Sequence, residues 1–366
     1  MSRSDAMTFL GSTMTNASHQ GGFAGAASGA EARSGLESES PAAADGPILS
    51  VKGLGVRYPL GKRSFWGERT YFEVLDDVSF EIARGETLGL VGESGSGKST
   101  IGRTILRRIE RTAGTITFEG RDISDLGGEP LRKLRRRMQL IFQDPYSSLN
   151  PRMNVMSIIA EPLVVHGIVG SFAEARPQVL ALLDRVGMPA SAAERYPHQF
   201  SGGQRQRIGI ARALALKPSF IVADEPVSAL DVSVRAQVVN LMQELQEELG
   251  ISFLFIAHDL SVVRHISQRV AILNSGQIVE IGARDAIYER PLHPYTQTLL
   301  SAVPEPDPTI KLARQDRKRA GGPVPDATGT GCRFLGRCPL ASDVCREKKP
   351  VLEPKGVDHW VACWNA

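Results

Sequence analysis

The sequence has few cysteines, few aromatic residues and no long apolar run. Four cysteines occur among 366 residues, and aromatic side chains make up 6% of the chain. All four cysteines follow residue 331, which is too clustered for a secreted disulfide scaffold. The longest predominantly apolar run, 251–257, is far shorter than the ~20 residues that a membrane-spanning helix needs. We therefore expect any membrane role to require a partner.

The chain also lacks a strong charge of one sign. Its net charge of +3 is too small to indicate a nucleic acid or an anionic membrane as partner. The basic stretch 131–138 has no interleaved aromatic residues, and a charged helix face explains it better than a nucleic-acid site. The N-terminus has no basic region followed by an apolar region and a cleavage site, so we expect no secretory signal.

Composition and periodicity divide the chain into three parts. Residues 1–46 are rich in Ser, Ala, Gly and Glu, and we expect disorder because they cannot bury enough apolar surface. Residues 47–294 alternate strand and helix patterns, with a helical block at about 145–215. Residues 295–366 are rich in proline and charge. The pattern predicts an α/β fold with a parallel sheet and an inserted helical subdomain. We also expect an antiparallel β subdomain and, because of the four cysteines, a small C-terminal metal-binding extension.

Local signals predict where individual elements begin and end. Alternating apolar residues predict a strand from Ile48 to about Tyr58, followed by a solvated hairpin tip. Asp231 is expected to cap a long helix that Gly250 terminates. The sequence Asn-Ser-Gly at 274–276 predicts a hairpin turn.

A glycine-rich loop lies between the apolar run 87–91 and a helix-like segment, 100–109. Successive backbone N–H groups of such a loop converge on an anion, and the following helix directs its positive end to the same point. Lys98 would reach the β- and γ-phosphates of ATP, and the Ser99 hydroxyl would take a place on Mg²⁺. The residues predicted to bind nucleotide here are Gly92, Ser94, Gly95, Ser96, Gly97, Lys98, Ser99 and Thr100.

Two carboxylates directly follow the apolar strand pattern at 220–223. Parallel strands bind ligands at their carboxyl ends, so Asp224 is expected to hold Mg²⁺. Glu225 would orient and deprotonate the attacking water. His258 follows the next apolar strand and would hydrogen-bond the γ-phosphate, although a histidine in such a place is more often a satisfied core residue.

Six motifs between Ile48 and Pro294 resemble those of the ABC-transporter ATPase subunit, in that family's order. Phe200 stands where the family's signature commonly has leucine. The resemblance implies a P-loop NTPase core of the RecA-like type, with Gln143 on Mg²⁺ and Tyr58 stacked on adenine, or Tyr71 or Phe72 in its place. The motifs are Gly92–Ser99 (Walker A), Gln143 (Q-loop), Ser201–Gln206 (signature), Phe220–Glu225 (Walker B), Ser228–Asp231 (D-loop) and His258 (switch histidine).

The family resemblance also implies a head-to-tail dimer. The chain has one copy of each motif, so it needs a second ABC ATPase subunit, and a heterodimer is expected. The residues that would cover ATP bound to the partner are Ser201, Gly202, Gly203, Gln204 and Asp231.

Three further segments, 143–151, 226–233 and 293–296, resemble the dipeptide/oligopeptide permease branch, and Tyr146-Ser147-Ser148 favours its second ATPase subunit. This implies uptake of di- or oligopeptides with two integral membrane permease subunits and an extracytoplasmic binding protein. The chain would lie peripherally on the cytoplasmic face of the membrane. Importers of nickel chelates or glutathione share much of the pattern. A soluble non-transport ABC ATPase is less favoured because coiled-coil insertions and a second ATPase domain are absent.

The cysteines Cys332, Cys338, Cys345 and Cys363 are separated by five, six and seventeen residues. Four thiols in a short tail favour a metal over disulfides, but the paired spacing usual in zinc modules is absent. Pro339 follows Cys338, as in the Cys-Pro of iron–sulfur sites, and the tail resembles that of peptide-importer ATPases, some of which bind a [4Fe–4S] cluster. A structural [4Fe–4S] cluster is the main hypothesis, with zinc or unligated thiols as alternatives.

Overall fold

A computed structural model describes residues 46–62, 69–302 and 330–366. The expectation of disorder for residues 1–46 stays a prediction, because residues 1–45 lie outside these ranges. The strands are β1 (Leu49–Lys62), β2 (Arg69–Ile82), β3 (Thr87–Val91), β4 (Ala113–Phe118), β5 (Arg121–Asp122), β6 (Met138–Ile141), β7 (Phe220–Asp224), β8 (Ser252–Ala257), β9 (Arg269–Asn274), β10 (Gln277–Ala283), β11 (Glu353–Gly356) and β12 (His359–Val361).

The α-helices of the described residues lie in the connections between strands. They are α1 (Lys98–Ile105), α2 (Gly128–Leu134), α3 (Pro145–Ser148), α4 (Val155–Val165), α5 (Arg176–Arg185), α6 (Gly202–Leu214), α7 (Val232–Leu249), α8 (Leu260–Ile266), α9 (Arg284–Glu289), α10 (Pro294–Ser301) and α11 (Asp343–Glu347).

Two sheets organise the described residues. The larger has the order β11-β12-β10-β9-β3-β8-β7-β6, and the pairs from β9 to β6 are parallel. The smaller, β2-β1-β4-β5, is antiparallel. The predicted α/β fold with a parallel sheet is confirmed.

The central strands β3, β7 and β8 are buried at every position. Their side chains alternate between two apolar clusters on opposite faces of the sheet; Phe253 and Phe255 face one cluster, and Leu254 and Ile256 face the other. Burial on both faces explains why these strands are continuously apolar. The polar residues that follow them, at the carboxyl end of the sheet, are therefore brought together.

The first hairpin is longer than its sequence indicated. β1 does not end near Tyr58 but pairs with β2 as far as Lys62↔Arg69. Part of the predicted hairpin tip is therefore paired as strand. Register shifts between β1 and β2 accommodate the irregular sequence there. The rest of that tip, 63–68, lies outside the described residues.

The C-terminal residues continue the large sheet. β12 pairs antiparallel with β10, in the register Glu280↔Val361 to Gly282↔His359, and β11 pairs with β12. The fully buried Glu280 side chain lies 2.7 Å from His359 Nε2 and accepts the backbone N–H groups of Leu292 and His293. One buried carboxylate therefore connects β10, β12 and the start of α10.

In the described ranges, no helix combines the length and the apolar character needed to cross a bilayer.

Candidate functional site

The glycine-rich loop connects β3 to α1, as its sequence predicted. Gly97 has φ +105°, and a Cβ at Gly92 would lie 2.2 Å from the carbonyl oxygen of Leu273, so both positions require glycine. Lys98 Nζ donates to the carbonyl oxygens of Gly92 at 2.8 Å and Glu93 at 2.9 Å. Burial lowers the pKa of Lys98, while the carboxylates Glu225, Asp224 and Glu93 act in the opposite direction. The ammonium group is thus held over the loop at the place where a phosphate would bind.

Asp224 is the last residue of β7 and is almost fully buried. It accepts a hydrogen bond from Ser99 Oγ at 2.7 Å, across 125 residues of sequence. Arg103 lies 3.6 Å from its other oxygen. Burial raises the pKa of Asp224, because the charged form loses hydration. A hydroxyl and a carboxylate in contact fit the oxygen-only preference of Mg²⁺, and these two groups would hold the ion.

Glu225 follows in a left-handed conformation, with φ +47°, and its N–H donates to the carbonyl oxygen of Ile256 at 2.9 Å. Such a conformation is costly for a non-glycine residue and occurs often at functional sites. It directs the carboxylate to Gln143 Nε2 at 3.0 Å and His258 Nδ1 at 3.2 Å. The structure therefore brings together three side chains from the ends of three neighbouring strands, as a catalytic centre requires.

The signature segment forms the start of α6. Ser201 Oγ accepts the N–H of Gln204 at 3.3 Å, and Gln204 Oε1 accepts the N–H of Ser201 at 3.1 Å, which is a capping box. A Cβ at Gly203 would lie 2.2 Å from Val234 Cγ1, so glycine lets α6 approach α7 closely. Gly202, which lies between Ser201 and Gly203 in sequence, is partly exposed. Ser201 and Gln204 thus bond to each other rather than to the phosphate loop of their own chain.

Asp231 occupies the N-cap position of α7, but its side chain makes no capping hydrogen bond. The sequence prediction was right about the position and wrong about the bond: the exposed carboxylate of Asp231 accepts no N–H from the first turn of α7 and is left available. Gly250 ends α7 in the left-handed conformation, as predicted.

Three aromatic residues on the β1–β2 hairpin are candidates for contact with adenine. Tyr58 is 42% exposed, Tyr71 52% and Phe72 57%. Tyr58 lies opposite Phe72, so these two side chains share one face of the hairpin, whereas Tyr71, which is paired with Pro59, lies on the other face. The exposure of all three keeps each available as a stacking surface.

The four cysteines carry free thiols, and Cys345 is buried. Burial raises the pKa of Cys332, Cys338 and Cys363, and each of these is raised further by neighbouring cysteines. Backbone N–H groups two residues further on, at Phe334, Leu340 and Asn365, act in the opposite direction and lower these pKa values. Over the ranges that the structure covers, no three His, Cys, Asp or Glu side chains are close enough to hold a metal ion.

Sequence reasoning missed two residues that contact the phosphate loop. The fully buried Tyr295 accepts the N–H of Glu93 through its hydroxyl at 3.0 Å, and Arg337 forms an ion pair with the Glu93 carboxylate at 2.9 Å. No sequence signal assigns these contacts, since Glu93 and Arg337 are 244 residues apart.

Two family models match the chain. The ABC transporter model matches residues 75–228, and the model named "Oligopeptide/dipeptide transporter, C-terminal region" matches residues 279–345. Among solved structures, the dimeric ATP-binding cassette MJ0796 bound to ADP and Pi is similar with a TM-score of 0.58 and 29% identity, covering 65% of this chain and 99% of that one.

Relatives extend the match to most of the chain. The oligopeptide transport ATP-binding protein AppF of Bacillus subtilis is 49% identical over 318 residues, covering 86% of this chain and 96% of AppF. The oligopeptide transport ATP-binding protein OppF of Streptococcus mutans is 54% identical over 282 residues, covering 77% and 89%. Identity at this level over nearly the whole length of both relatives, together with the site geometry, shows that the chain belongs to the ABC-transporter ATP-binding family, in its oligopeptide/dipeptide branch.

Proposed function

We propose that this chain hydrolyses ATP to drive the uptake of di- or oligopeptides across the cytoplasmic membrane. The observation that carries the ATPase assignment is the meeting of Gln143, Glu225 and His258 beside the Ser99–Asp224 pair. The peptide assignment is supported by AppF and OppF, whose names describe oligopeptide transport.

The roles of the site residues follow from their chemistry. Glu225 accepts a proton from the attacking water, since it is an acceptor held at the carboxyl end of the sheet. Lys98 neutralises the β- and γ-phosphates. His258 contacts the γ-phosphate and orients Glu225, while Gln143 responds to the bound nucleotide. Mg²⁺, when bound by Ser99, Asp224 and Gln143, supplies charge neutralisation to the phosphates.

The second half of the ATP site comes from another ATPase subunit in this proposal. Ser201 and Gln204 cap α6, whose N-terminus carries a partial positive charge suited to a γ-phosphate. Asp231 has an uncommitted carboxylate at the neighbouring helix start. A head-to-tail heterodimer would place these groups on ATP bound to the partner.

Two integral membrane permease subunits and an extracytoplasmic peptide-binding protein complete the proposed importer. The chain would lie on the cytoplasmic face of the membrane as a peripheral subunit. The test is reconstitution of the chain with its permeases and sister ATPase in proteoliposomes. We expect ATP-dependent accumulation of a labelled peptide and no accumulation when Glu225→Gln in this chain is combined with the corresponding substitution in the sister ATPase. Accumulation of a nickel chelate or glutathione instead of peptides would contradict the peptide assignment.

We also propose that the four cysteines bind a [4Fe–4S] cluster in a structural role. The support is the donor set of four thiols, which are near enough to one another to raise the pKa of Cys332, Cys338 and Cys363. The absence of a preformed metal group in the described residues means that the thiols must draw closer together on binding. Protein purified without oxygen should contain about four iron and four sulfide per chain. Zinc without iron would contradict the cluster.

A further inference from the structure

The segment between the first two cysteines, residues 332–338, lies against the phosphate loop. It contacts the loop directly through Arg337 and indirectly, by way of the β9–β10 turn, through Arg333. Neither arginine belongs to the six motifs that define the ATP site. The C-terminal segment therefore reaches the loop that would hold the phosphates.

The first contact is an ion pair between Arg337 and Glu93, the second residue of the phosphate loop. Arg337 donates to both carboxylate oxygens, with distances of 2.9, 3.2 and 3.2 Å. The side chains are 39% and 48% exposed, so solvent screens the pair. Two-pronged geometry still fixes the direction of the carboxylate better than a single bond does.

Tyr295 holds the backbone of the same residue. Its hydroxyl accepts the Glu93 N–H at 3.0 Å, and its ring is fully buried. Phe334 packs on Tyr295 with ring centroids 5.3 Å apart, and the Arg337 guanidinium lies 5.3 Å from the Phe334 ring. Burial raises the pKa of Tyr295 to about 12, so the hydroxyl stays neutral at physiological pH. With the Glu93 carbonyl bonded to Lys98, every polar group of Glu93 has a partner.

The second contact runs through the β9–β10 turn. Arg333 donates to the carbonyl oxygen of Ser275 and to Glu73 and Asp76, at 2.9 and 2.8 Å for the carboxylates. The next residue, Gly276, donates its N–H to the carbonyl oxygen of Ser96 at 2.9 Å. Arg333 thus supports the far end of the phosphate loop, while Arg337 supports its beginning.

The segment has the rigidity that such a support requires. Its backbone is closed by hydrogen bonds from Leu335 to Cys332 at 3.1 Å, from Arg337 to Phe334 at 3.1 Å, and from Cys338 to Leu335 at 3.2 Å. Phe334 is buried against the main core. Side chains placed on a closed, anchored turn lose little further freedom when they form a contact.

We propose that Arg337 and Tyr295 are positioning residues for ATP, which hold Glu93, and through it the Lys98 ammonium, in the phosphate-binding arrangement. The inference rests on the proposed ATPase function of the phosphate loop. Because both residues act on the free loop, they contribute mainly to ATP affinity. Arg337 also neutralises Glu93, which would otherwise repel the phosphates.

The expected loss of ATP affinity differs between the Arg337 and Tyr295 variants. Removing a half-exposed ion pair costs little, so Arg337→Ala should weaken ATP binding by ~3- to 5-fold. Tyr295→Phe leaves the Glu93 N–H without its partner in a drier place, so we expect ~5- to 10-fold. Arg337→Lys keeps the positive charge but cannot form the two-pronged contact of the guanidinium. It should bind ATP more tightly than Arg337→Ala and less tightly than the wild type.

The test uses the full chain assembled with its sister ATPase and measures ATP affinity and the separate values of KM and kcat. We expect KM for ATP to rise in Arg337→Ala and Tyr295→Phe, with a much smaller change in kcat. Arg346→Ala is the matched control, because Arg346 lies in the same extension and is exposed, with only a 3.9 Å contact to Asp343. Its KM should equal that of the wild type.

Glu93→Gln separates a specific role of Arg337 from a merely structural one. In a chain that carries Glu93→Gln, Arg337→Ala should weaken ATP binding by less than ~2-fold, because no carboxylate charge is left to neutralise. An equal cost of Arg337→Ala in both backgrounds would overturn the ion-pair argument. Unchanged ATP affinity in folded Arg337→Ala and Tyr295→Phe would overturn the whole inference. A wild-type chain that fails to bind ATP would instead overturn the proposed function.

Discussion

His258 Nδ1 lies 3.2 Å from a Glu225 oxygen that also accepts the Gln143 amide at 3.0 Å. The two donors hold the carboxylate at the edge of the sheet, beside Asp224 at the end of β7. A general base works only if its lone pair points to the water that it activates. The contact therefore makes Glu225, rather than Asp224, the residue expected to accept the proton, since Asp224 is occupied by Ser99.

Glu225→Gln should retain ATP binding and lower the rate of hydrolysis by ~10²- to 10⁴-fold, the usual contribution of a general base. The amide keeps the size of the side chain and loses its proton affinity. Phosphate release and nucleotide binding are measured on the same preparation. Glu247→Gln, on the exposed side of α7, is the control and should hydrolyse ATP at the wild-type rate. Hydrolysis within a few-fold of wild type in Glu225→Gln would assign the base to another residue.

Two glycines of α6 should respond in opposite ways to alanine. A Cβ at Gly203 meets Val234 Cγ1 at 2.2 Å, whereas a Cβ at Gly209 meets nothing within 4 Å. Gly203→Ala should destabilise the chain by about 1–3 kcal/mol through overpacking. Gly209→Ala should stabilise it by up to about 1 kcal/mol, because alanine is the better helix former. Urea unfolding measures both.

Val234→Ala makes the space that Gly203→Ala requires. The double variant should therefore lose less stability than the sum of the two single variants. Additive losses would show that the close approach of α6 and α7 at Gly203 does not limit stability.

Gly276 in the β9–β10 turn and Gly85 in the β2–β3 turn give a second matched pair of glycines. Gly276 has φ +81°, and its Cβ would lie 2.1 Å from the Val74 carbonyl oxygen, while Gly85 has φ +71° with nothing nearby. Gly85→Ala should cost about 1–2 kcal/mol from backbone strain alone. Gly276→Ala adds a clash with backbone and should cost clearly more in the same unfolding experiment. Equal losses would mean that the turn moves freely away from β2.

Because His293 is buried, we expect the folded chain to lose stability in acid. Burial lowers its pKa from 6.5 to about 4, and its Nδ1 accepts the Tyr295 N–H at 3.0 Å, so the folded state requires the neutral ring. The unfolded chain binds the extra proton between pH 6.5 and about 4. Stability is therefore complete above pH 6.5 and falls as the pH drops towards 4, by about 3 kcal/mol at most.

His293→Asn separates this effect from the other acidic titrations. Asparagine keeps a capping oxygen for the start of α10 but does not titrate in this range. Its stability should be lower than that of the wild type at neutral pH and should fall less between pH 6.5 and 4, as measured by urea unfolding at each pH. Parallel pH profiles for the two proteins would exclude His293 as the source.

The parts that the sequence determined are those in which neighbouring residues carry the chemistry. Gly97, Lys98 and Ser99 form a phosphate loop because glycine dihedrals and consecutive N–H groups act locally. Asp224 and Glu225 follow a continuously apolar strand, and such strands end at one edge of a parallel sheet. The order of these motifs therefore indicated the family and the fold before any contact was known.

Other features depended on packing between distant segments. The extra length of β1 came from its ladder with β2, and the position of Asp231 gave no information on whether its carboxylate would bond. The pairing of β12 with β10 and the contacts of Arg337 and Tyr295 with Glu93 join residues up to 244 apart in sequence. Only the folded chain decides which surfaces meet, because such contacts depend on the summed burial of many side chains rather than on the properties of adjacent residues.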